Sequence, residues 1–334
     1  MVTTDLQHLF FQNIKAMVPP NLSFVEEIAD LLNISTDSAY RRIRGEKQIS
    51  LEEIQKLSVH YKVSIDHLMN LNSNSIVFFG NVVDHDNFSF ANHMSGMVDT
   101  IRRINKASKK TLYYEAKDLP IFYFFQFTEL AAFKYFFWMK TILAYREYNK
   151  MQFEDSEIMS MLQGPGLELI KTYNDVPSVE IWGVESVNTT IKQIEYFAHA
   201  GIFKKKETIE NLFNQLQTLI EHIKDQAECG EKYLIVEEPT GKPDNYQLYF
   251  NEIFLGHNSL LVETTGILTS YINYGVLNYM VTQDTRFCDY TKNSMENTIK
   301  KSILISSVSE KERNRFFNML RDTIARSRKE LLNG

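Results

Sequence analysis

The chain has only two cysteines in 334 residues, Cys229 and Cys288, far apart and in no metal-binding spacing. Their scarcity excludes a disulfide-stapled secreted scaffold and a cysteine-ligated zinc module, and it suits a reduced cytoplasmic protein with buried thiols. No charged segment followed by an apolar core opens the sequence, so no secretory leader is expected. A long charge-free apolar run is also lacking. The most apolar stretch, LPIFYFFQFTELAAFKYFFWMKTIL (119–143), carries Glu129, Lys134 and Lys140. Those charges are costly at membrane depth, so the stretch reads as a buried helix and no membrane partner is expected. Positive charge is in short supply too: 36 Lys and Arg against 42 Asp and Glu leave a net charge of −6. A general nucleic-acid binder needs a basic face, so any contact with phosphate must be local. No internal repeat is found.

What the chain does have is apolar and aromatic mass. Hydrophobic residues make up 44% and charged residues 23% of the sequence, so a packed core is expected and wholesale disorder is not. The 23 Phe and 17 Tyr imply large buried surfaces. The length accommodates two or three domains.

A dense local knot of positive charge is formed by Arg41, Arg42 and Arg44, followed directly by Gly45. It lies in a series of short helical patterns. From Leu6 to Val18 apolar residues recur at helical spacing (Leu6, Leu9, Phe10, Ile14, Met17), and Pro19-Pro20 stop the run. Ser23 and Glu26 form the pattern of a capping box for a second helix, whose inner face is Val25, Ile28, Ala29 and Leu32. Asn33 follows where a left-handed residue ends a helix. Ser35 caps a third helix after a turn of about three residues, with Ala39 and Ile43 inward and Thr36, Asp37, Ser38, Arg41 and Arg44 outward. Ser50 caps a fourth helix, and Ser64 a short fifth with Ile65, Leu68 and Met69.

The stretch FVEEIADLLNISTDSAYRRIRGEKQISLEEIQKLSVHYKVSIDHLM resembles the helix-turn-helix of lambda-repressor/Cro-like regulators. The matching features are Ile28-Ala29 in the second helix, Ile34-Ser35 at the turn, Gly45 after the third helix, and the tail from Ser50 to Leu68. The sequence departs from the pattern at Phe24-Val25, where a polar residue often opens the second helix, and at Arg42 and Ile43, which stand where the family has an apolar and an acidic residue. The resemblance covers about the first 70 residues and implies that the third helix enters the major groove of double-stranded DNA. It would place Thr36, Asp37 and Arg41 at base edges, Ser38, Arg44 and Lys47 at phosphates, and the Ser35 backbone N–H at a phosphate. Residues 1–72 hold seven Lys or Arg against nine Asp or Glu, so affinity is expected to depend on dimerisation.

The polar stretch NLNSNS (70–75) marks the expected domain boundary. Beyond it, IVFFG and TLYYEA read as strands, with a helix between them carrying Phe90, Met94, Met97, Val98, Ile101 and Ile104. Asp118-Leu-Pro opens an all-round apolar helix from Phe122 to Leu143, and Gly-Pro-Gly at 164–166 reads as a helix break. Residues 155–172, 186–200 and 206–228 are further helical patterns. YLIVEE, NYQLYFNEIFL and NSLLVETTG are β-rich runs with turns between them, which suggests antiparallel pairing, while SYINYGVLNYMVTQD fits either strand or helix. Two helices, at about 285–301 and 309–332, close the chain. The expected fold class is a mainly α helix-turn-helix domain (1–72) followed by a larger α+β body, with a helical middle (76–230) and an antiparallel β-rich C-terminal part (231–334).

Candidates for chemistry are weak. Asp84, His85 and Asp86 stand together without a distant ligand at metal spacing, and Cys288 with His257 has nothing to fix a nucleophile–base geometry. Glu252 reads as an outward charge. Arg313, Arg315, Arg321, Arg326 and Arg328 read as a solvated face opposite a buried stripe, with a second nucleic-acid surface as the alternative. No catalytic residue, cofactor or metal is therefore expected. The reading that follows is a DNA-binding transcriptional regulator working as a homodimer, its body holding the protomers together and offering room for a small-molecule or protein effector. An interaction adaptor whose helix-turn-helix no longer reads DNA, and an enzyme fused to a DNA-binding head, are the alternatives.

Overall fold

The computed structural model describes residues 6–15, 18, 23–61, 63, 65, 75–80, 89–241, 245–253, 255–256 and 258–333. The chain divides into two units, Met1–Val77 and Phe78–Gly334. Met17, Pro19-Pro20, Ser64, Leu68, Met69 and most of the expected boundary stretch lie outside the described residues.

The first unit is built from α1 (Leu6–Lys15), α2 (Phe24–Leu32), α3 (Thr36–Ile43) and α4 (Leu51–Tyr61). Each helix is too short to persist alone, so packing of the apolar stripes holds them. Phe10, Phe11 and Ile14 of α1 meet Ile28, Ala29 and Leu32 of α2, Ala39 of α3 and Leu57 of α4 in one core. Burying each large side chain contributes about 2 kcal/mol. The expected capping box at Ser23 is absent: its side chain makes no cap hydrogen bond. The box forms one helix pair later. The Ser50 hydroxyl accepts from Glu53 N–H at 3.3 Å, while the Glu53 carboxylate accepts from Ser50 N–H at 3.1 Å.

The second unit is organised by one eight-stranded sheet: β1 (Phe79–Gly80), β2 (Lys110–Ala116), β3 (Ser178–Trp182), β4 (Tyr246–Phe250), β5 (Ser259–Thr264), β6 (Ile267–Asn273), β7 (Tyr279–Thr282) and β8 (Ile303–Leu304). Their spatial order is β1-β7-β6-β5-β2-β3-β4-β8. The antiparallel pairing expected between NYQLYFNEIFL and NSLLVETTG does not form, because β2 and β3 lie between β4 and β5. The pairs β5-β6, β6-β7, β7-β1 and β4-β8 are antiparallel, while β2-β3 and β3-β4 are parallel. Long helical connections allow this, because a parallel neighbour needs a crossover. Strands from 76–230 and from 231–334 therefore sit side by side in one sheet. The stretch SYINYGVLNYMVTQD supplies β6 and β7, whereas YLIVEE forms no strand. There the N–H of Ile235 is met by the side-chain oxygen of Gln126 at 3.1 Å instead of a neighbouring strand.

Helices cover both faces of the sheet. The main core takes Leu112 and Tyr114 of β2 and Trp182 of β3 against α5 (Phe90–Asn105), α6 (Ile121–Phe124), α7 (Thr128–Phe137), α8 (Ile158–Asn174), α9 (Asn188–His199) and α10 (Lys206–Cys229). On the other face Tyr113 and Leu261 pack with Cys288 and Met295 of α11 (Thr285–Ile299). The chain closes with α12 (Glu310–Asn333), whose Phe316, Phe317, Leu320 and Ile324 join the main core. The apolar stretch after Pro120 is not one helix but α6, α7 and a π-helical turn at Trp138–Ile142. Gly-Pro-Gly does not break α8, which runs through it. Pro165 faces solvent, where water can satisfy the carbonyl it leaves unpaired, and a Cβ on Gly166 would come within 2.7 Å of the Phe125 ring.

One of two strands missed by sequence patterning, β3 (the other is β8), carries a fully buried carboxylate. Glu180 accepts hydrogen bonds from the hydroxyls of Tyr123 (2.9 Å), Tyr173 (2.5 Å) and Ser178 (3.1 Å) and from the Trp182 indole N–H (3.0 Å). Burial raises its pKa, and burial lowers that of nearby Lys232 to about 7, whose ammonium donates to the carbonyls of Tyr173 and Val176. Four donors from within the core meet the Glu180 carboxylate, which makes it part of a structural network.

Candidate nucleic-acid interface

The site begins at the turn between α2 and α3. Asn33 ends α2 at φ 56°, the left-handed conformation expected of it, and Ile34 N–H bonds back to Ala29 O at 2.9 Å. Ser35 then caps α3, its hydroxyl accepting from Ser38 N–H at 3.3 Å. The connection is only Asn33–Ser35. Ala39 is fully buried where α3 meets α2, so nothing larger than a methyl is accommodated there.

Three arginines in four positions are divided by the helix register. Arg42 turns inward and is 6% exposed. Its Nε donates to Glu53 Oε2 at 2.9 Å, its Nη2 to Glu53 Oε1 at 2.7 Å, and its Nη1 to Ser38 O at 3.1 Å. The Arg42 hydrogen bonds lower the Glu53 pKa and keep the carboxylate ionised. Arg41, Arg44 and Lys47 are exposed. Arg44 pairs with Glu46 at 3.3 Å while both side chains remain about half exposed, an interaction worth little and open to exchange for a phosphate.

The turn after α3 is held from the opposite side of the unit. Gln7 of α1 donates to the carbonyls of Arg42 and Lys47, both at 2.7 Å, and accepts from Ile49 N–H at 3.1 Å. Gly45 adopts φ 77°, which suits glycine and lets the chain reverse. The backbone carrying Arg44 and Lys47 is thus fixed at both ends.

Of the sequence-derived site residues, Ser35, Thr36, Asp37, Arg41, Arg44 and Lys47 are exposed, and Ser38 is half-buried between the cap and Arg42. All lie at the N-cap of α3, on α3 or in the turn that follows. Sequence reasoning missed Tyr40, which is 48% exposed and carries the Arg44 guanidinium 5.4 Å from its ring centroid. Its spacing from Asp37, Arg41 and Arg44 was the available signal. It also missed Arg42 and Gln7 as the residues that position α3.

Residues 17–100 match the BetR domain. The BetR domain is of helix-turn-helix type and is associated with transcription regulation, and the match covers α2, α3 and α4 and ends within α5. The BetR-matching segment thus contains the whole of the exposed basic ridge. No curated protein and no solved structure matches the chain.

The remaining candidates lie elsewhere. Asp84, His85, Asp86 and His257 are outside the described residues, and among the described residues no group of His, Cys, Asp and Glu is arranged to hold a metal. Cys288 is buried and donates to Thr282 O at 3.5 Å, and burial raises its thiol pKa; Cys229 is only half-buried. Glu252 is exposed but pairs with Arg315 at 2.8 Å. Along α12, Arg321 pairs with Glu221 and Arg328 with Glu210 of α10, while Arg313 is buried and donates to Ile305 O and Val308 O. Much of that charge is spent inside the body. No described helix is long and apolar enough to cross a membrane.

Proposed function

We propose that the chain is a sequence-specific transcriptional regulator of the lambda-repressor/Cro-like kind, which reads double-stranded DNA through α3 as a homodimer. The observation that carries this reading is the division of the arginine knot: Arg42 is locked to Glu53, while Arg41, Arg44 and Lys47 stand on one exposed ridge. A ridge of this kind lets an acidic protein make local phosphate contact. Thr36, Asp37 and Arg41 face base edges, Arg41 bonding bidentately to a guanine and Asp37 accepting from an exocyclic amine. Ser35, Ser38, Arg44 and Lys47 meet phosphates, and the Tyr40 ring packs beside them. A single small head binds weakly at physiological salt, so two heads on half-sites about 34 Å apart supply the affinity. The body holds the protomers together and senses an effector. It has no catalytic role, and the protein works in the cytoplasm.

A second reading, an interaction adaptor, is favoured by one feature: the acidic balance of residues 1–72. Selection of genomic fragments by the purified protein separates the two. The regulator reading expects enrichment of a shared inverted repeat. Absence of any enrichment at low salt, with effector candidates present, would sink it.

A further inference from the structure

A cavity of about 140 Å³ lies at the carboxyl ends of the parallel strands β2 and β3. In α/β sheets this end collects ligands, because loops from successive crossovers converge there. Asp118 follows β2 directly, and Thr189 and Gln193 belong to the first turns of α9, which follows β3. Lys134 enters from α7, one turn before the π-helical segment whose first residue, Trp138, also lines the cavity. π-Helical turns are rare and are frequent beside functional sites.

Among the described residues lining the cavity, the charged groups are one cation and one anion. Lys134 is 4% exposed, yet both acceptors of its ammonium are neutral: Thr190 Oγ1 at 3.2 Å and Gln193 Oε1 at 2.5 Å. The ammonium also lies 5.0 Å from the Phe124 ring centroid and 5.6 Å from that of Trp138. Two acceptors leave one of its three N–H groups for a further partner. Burial lowers its pKa to about 8, against the attraction of Asp118. Asp118 is held in place at its backbone, which donates to Asn258 Oδ1 at 3.2 Å, and at one carboxylate oxygen, which accepts from Thr189 Oγ1. The second oxygen accepts no hydrogen bond from a described residue. His93, also in the wall, is pushed by burial to about 4 and stays neutral.

We propose that this cavity binds a free α-amino acid with an apolar side chain, its carboxylate on Lys134 and its ammonium on Asp118. The charge inventory selects a zwitterion. A simple carboxylate would satisfy Lys134 but face Asp118, and a simple amine would do the reverse; each leaves one charge of the cavity wall without its counterpart. The size agrees, since 140 Å³ corresponds to roughly ten water-sized positions, the scale of a small amino acid. Tyr114, Tyr135 and Tyr279 supply aromatic wall around the side chain. A larger cavity of about 790 Å³ shares the wall residues His93, Met97, Leu277 and Tyr279 with the first.

This deepens the reading of the body as the sensing part of a regulator. Its test needs no DNA, so failure here and failure of DNA reading are told apart. The full-length protein is screened for thermal stabilisation by each of the twenty L-amino acids at millimolar concentration, and hits are measured by titration calorimetry. Each hit is then compared with its desamino and decarboxy analogues; for L-leucine these are 4-methylpentanoate and 3-methylbutylamine. The expected result is at least one apolar amino acid that binds, with both analogues weakened by tenfold or more. Asp118→Asn should shift preference towards the desamino compound, and Lys134→Met should abolish binding of both. The relative preference in Asp118→Asn stays informative if Lys134→Met does not fold. No stabilisation by any of the twenty, analogues binding as well as the amino acid, or an unchanged preference in Asp118→Asn overturns the assignment.

Discussion

Arg42 of α3 and Glu53 of α4 are joined by two parallel hydrogen bonds, 2.9 Å and 2.7 Å, across eleven residues of sequence. Glu53 closes the capping box with Ser50 at the same time. One carboxylate therefore starts α4 and fixes the rotation of α3 about its axis. That rotation decides which arginines face outward. Arg42→Ala leaves Glu53 partly buried without its partner and should cost about 3 kcal/mol in urea unfolding, with most of the loss recovered in the Arg42→Met, Glu53→Gln double variant. Arg41→Ala should stay within about 0.5 kcal/mol of the parent.

The displaced capping box gives a second test. Ser50→Ala removes a hydroxyl that accepts from Glu53 N–H and should cost about 1 kcal/mol. Ser23→Ala removes a side chain that makes no cap bond and should change thermal stability by only a few tenths of a kcal/mol. Equal losses would restore the box to α2.

Lys134 sets a pH dependence with a definite sign. Its folded pKa of about 8 lies below the ordinary 10.5, so the unfolded chain binds more protons between those values and stability rises with pH across that window. Below pH 8 the buried ammonium is charged and its desolvation weighs against the folded state. The difference in unfolding free energy, parent minus Lys134→Met, should climb by up to about 3 kcal/mol from pH 7 to pH 10.5. Lys232 titrates alike in both proteins and cancels. A flat difference would mean that the ammonium is not desolvated.

The phosphate roles predict a salt signature. Arg44→Ala and Lys47→Ala should each reduce the slope of log affinity against log salt by about 1 and weaken all sequences alike. Arg41→Ala should relax discrimination at one base position at a cost of about 1–3 kcal/mol.

Much of the fold was legible where one face of an element is apolar. The 3.6-residue spacing of Met94, Val98, Ile101 and Ile104 marks α5, and Asn33 marks the end of α2. Strand β3 was not legible, because its five residues carry Glu180 at the centre and the tyrosines that neutralise that choice, Tyr123 and Tyr173, are distant in sequence or on another element. YLIVEE has strand composition, but composition does not show that Gln126 occupies its backbone. At the site, the outward positions of Thr36, Asp37, Arg41 and Arg44 followed from periodicity alone. That Arg42 is buried depended on a carboxylate one helix away, and the exposure of Tyr40 followed from the same rotation.

The central claim is that three neighbouring arginines hold two different roles. It is tested most directly by measuring affinity for a selected fragment and thermal stability side by side in Arg41→Ala, Arg42→Ala and Arg44→Ala. The account predicts that Arg41→Ala and Arg44→Ala lose tenfold or more in affinity with an unchanged melting temperature. Arg42→Ala should melt several degrees lower, with its folded fraction still binding. Parental affinity in both Arg41→Ala and Arg44→Ala would contradict it.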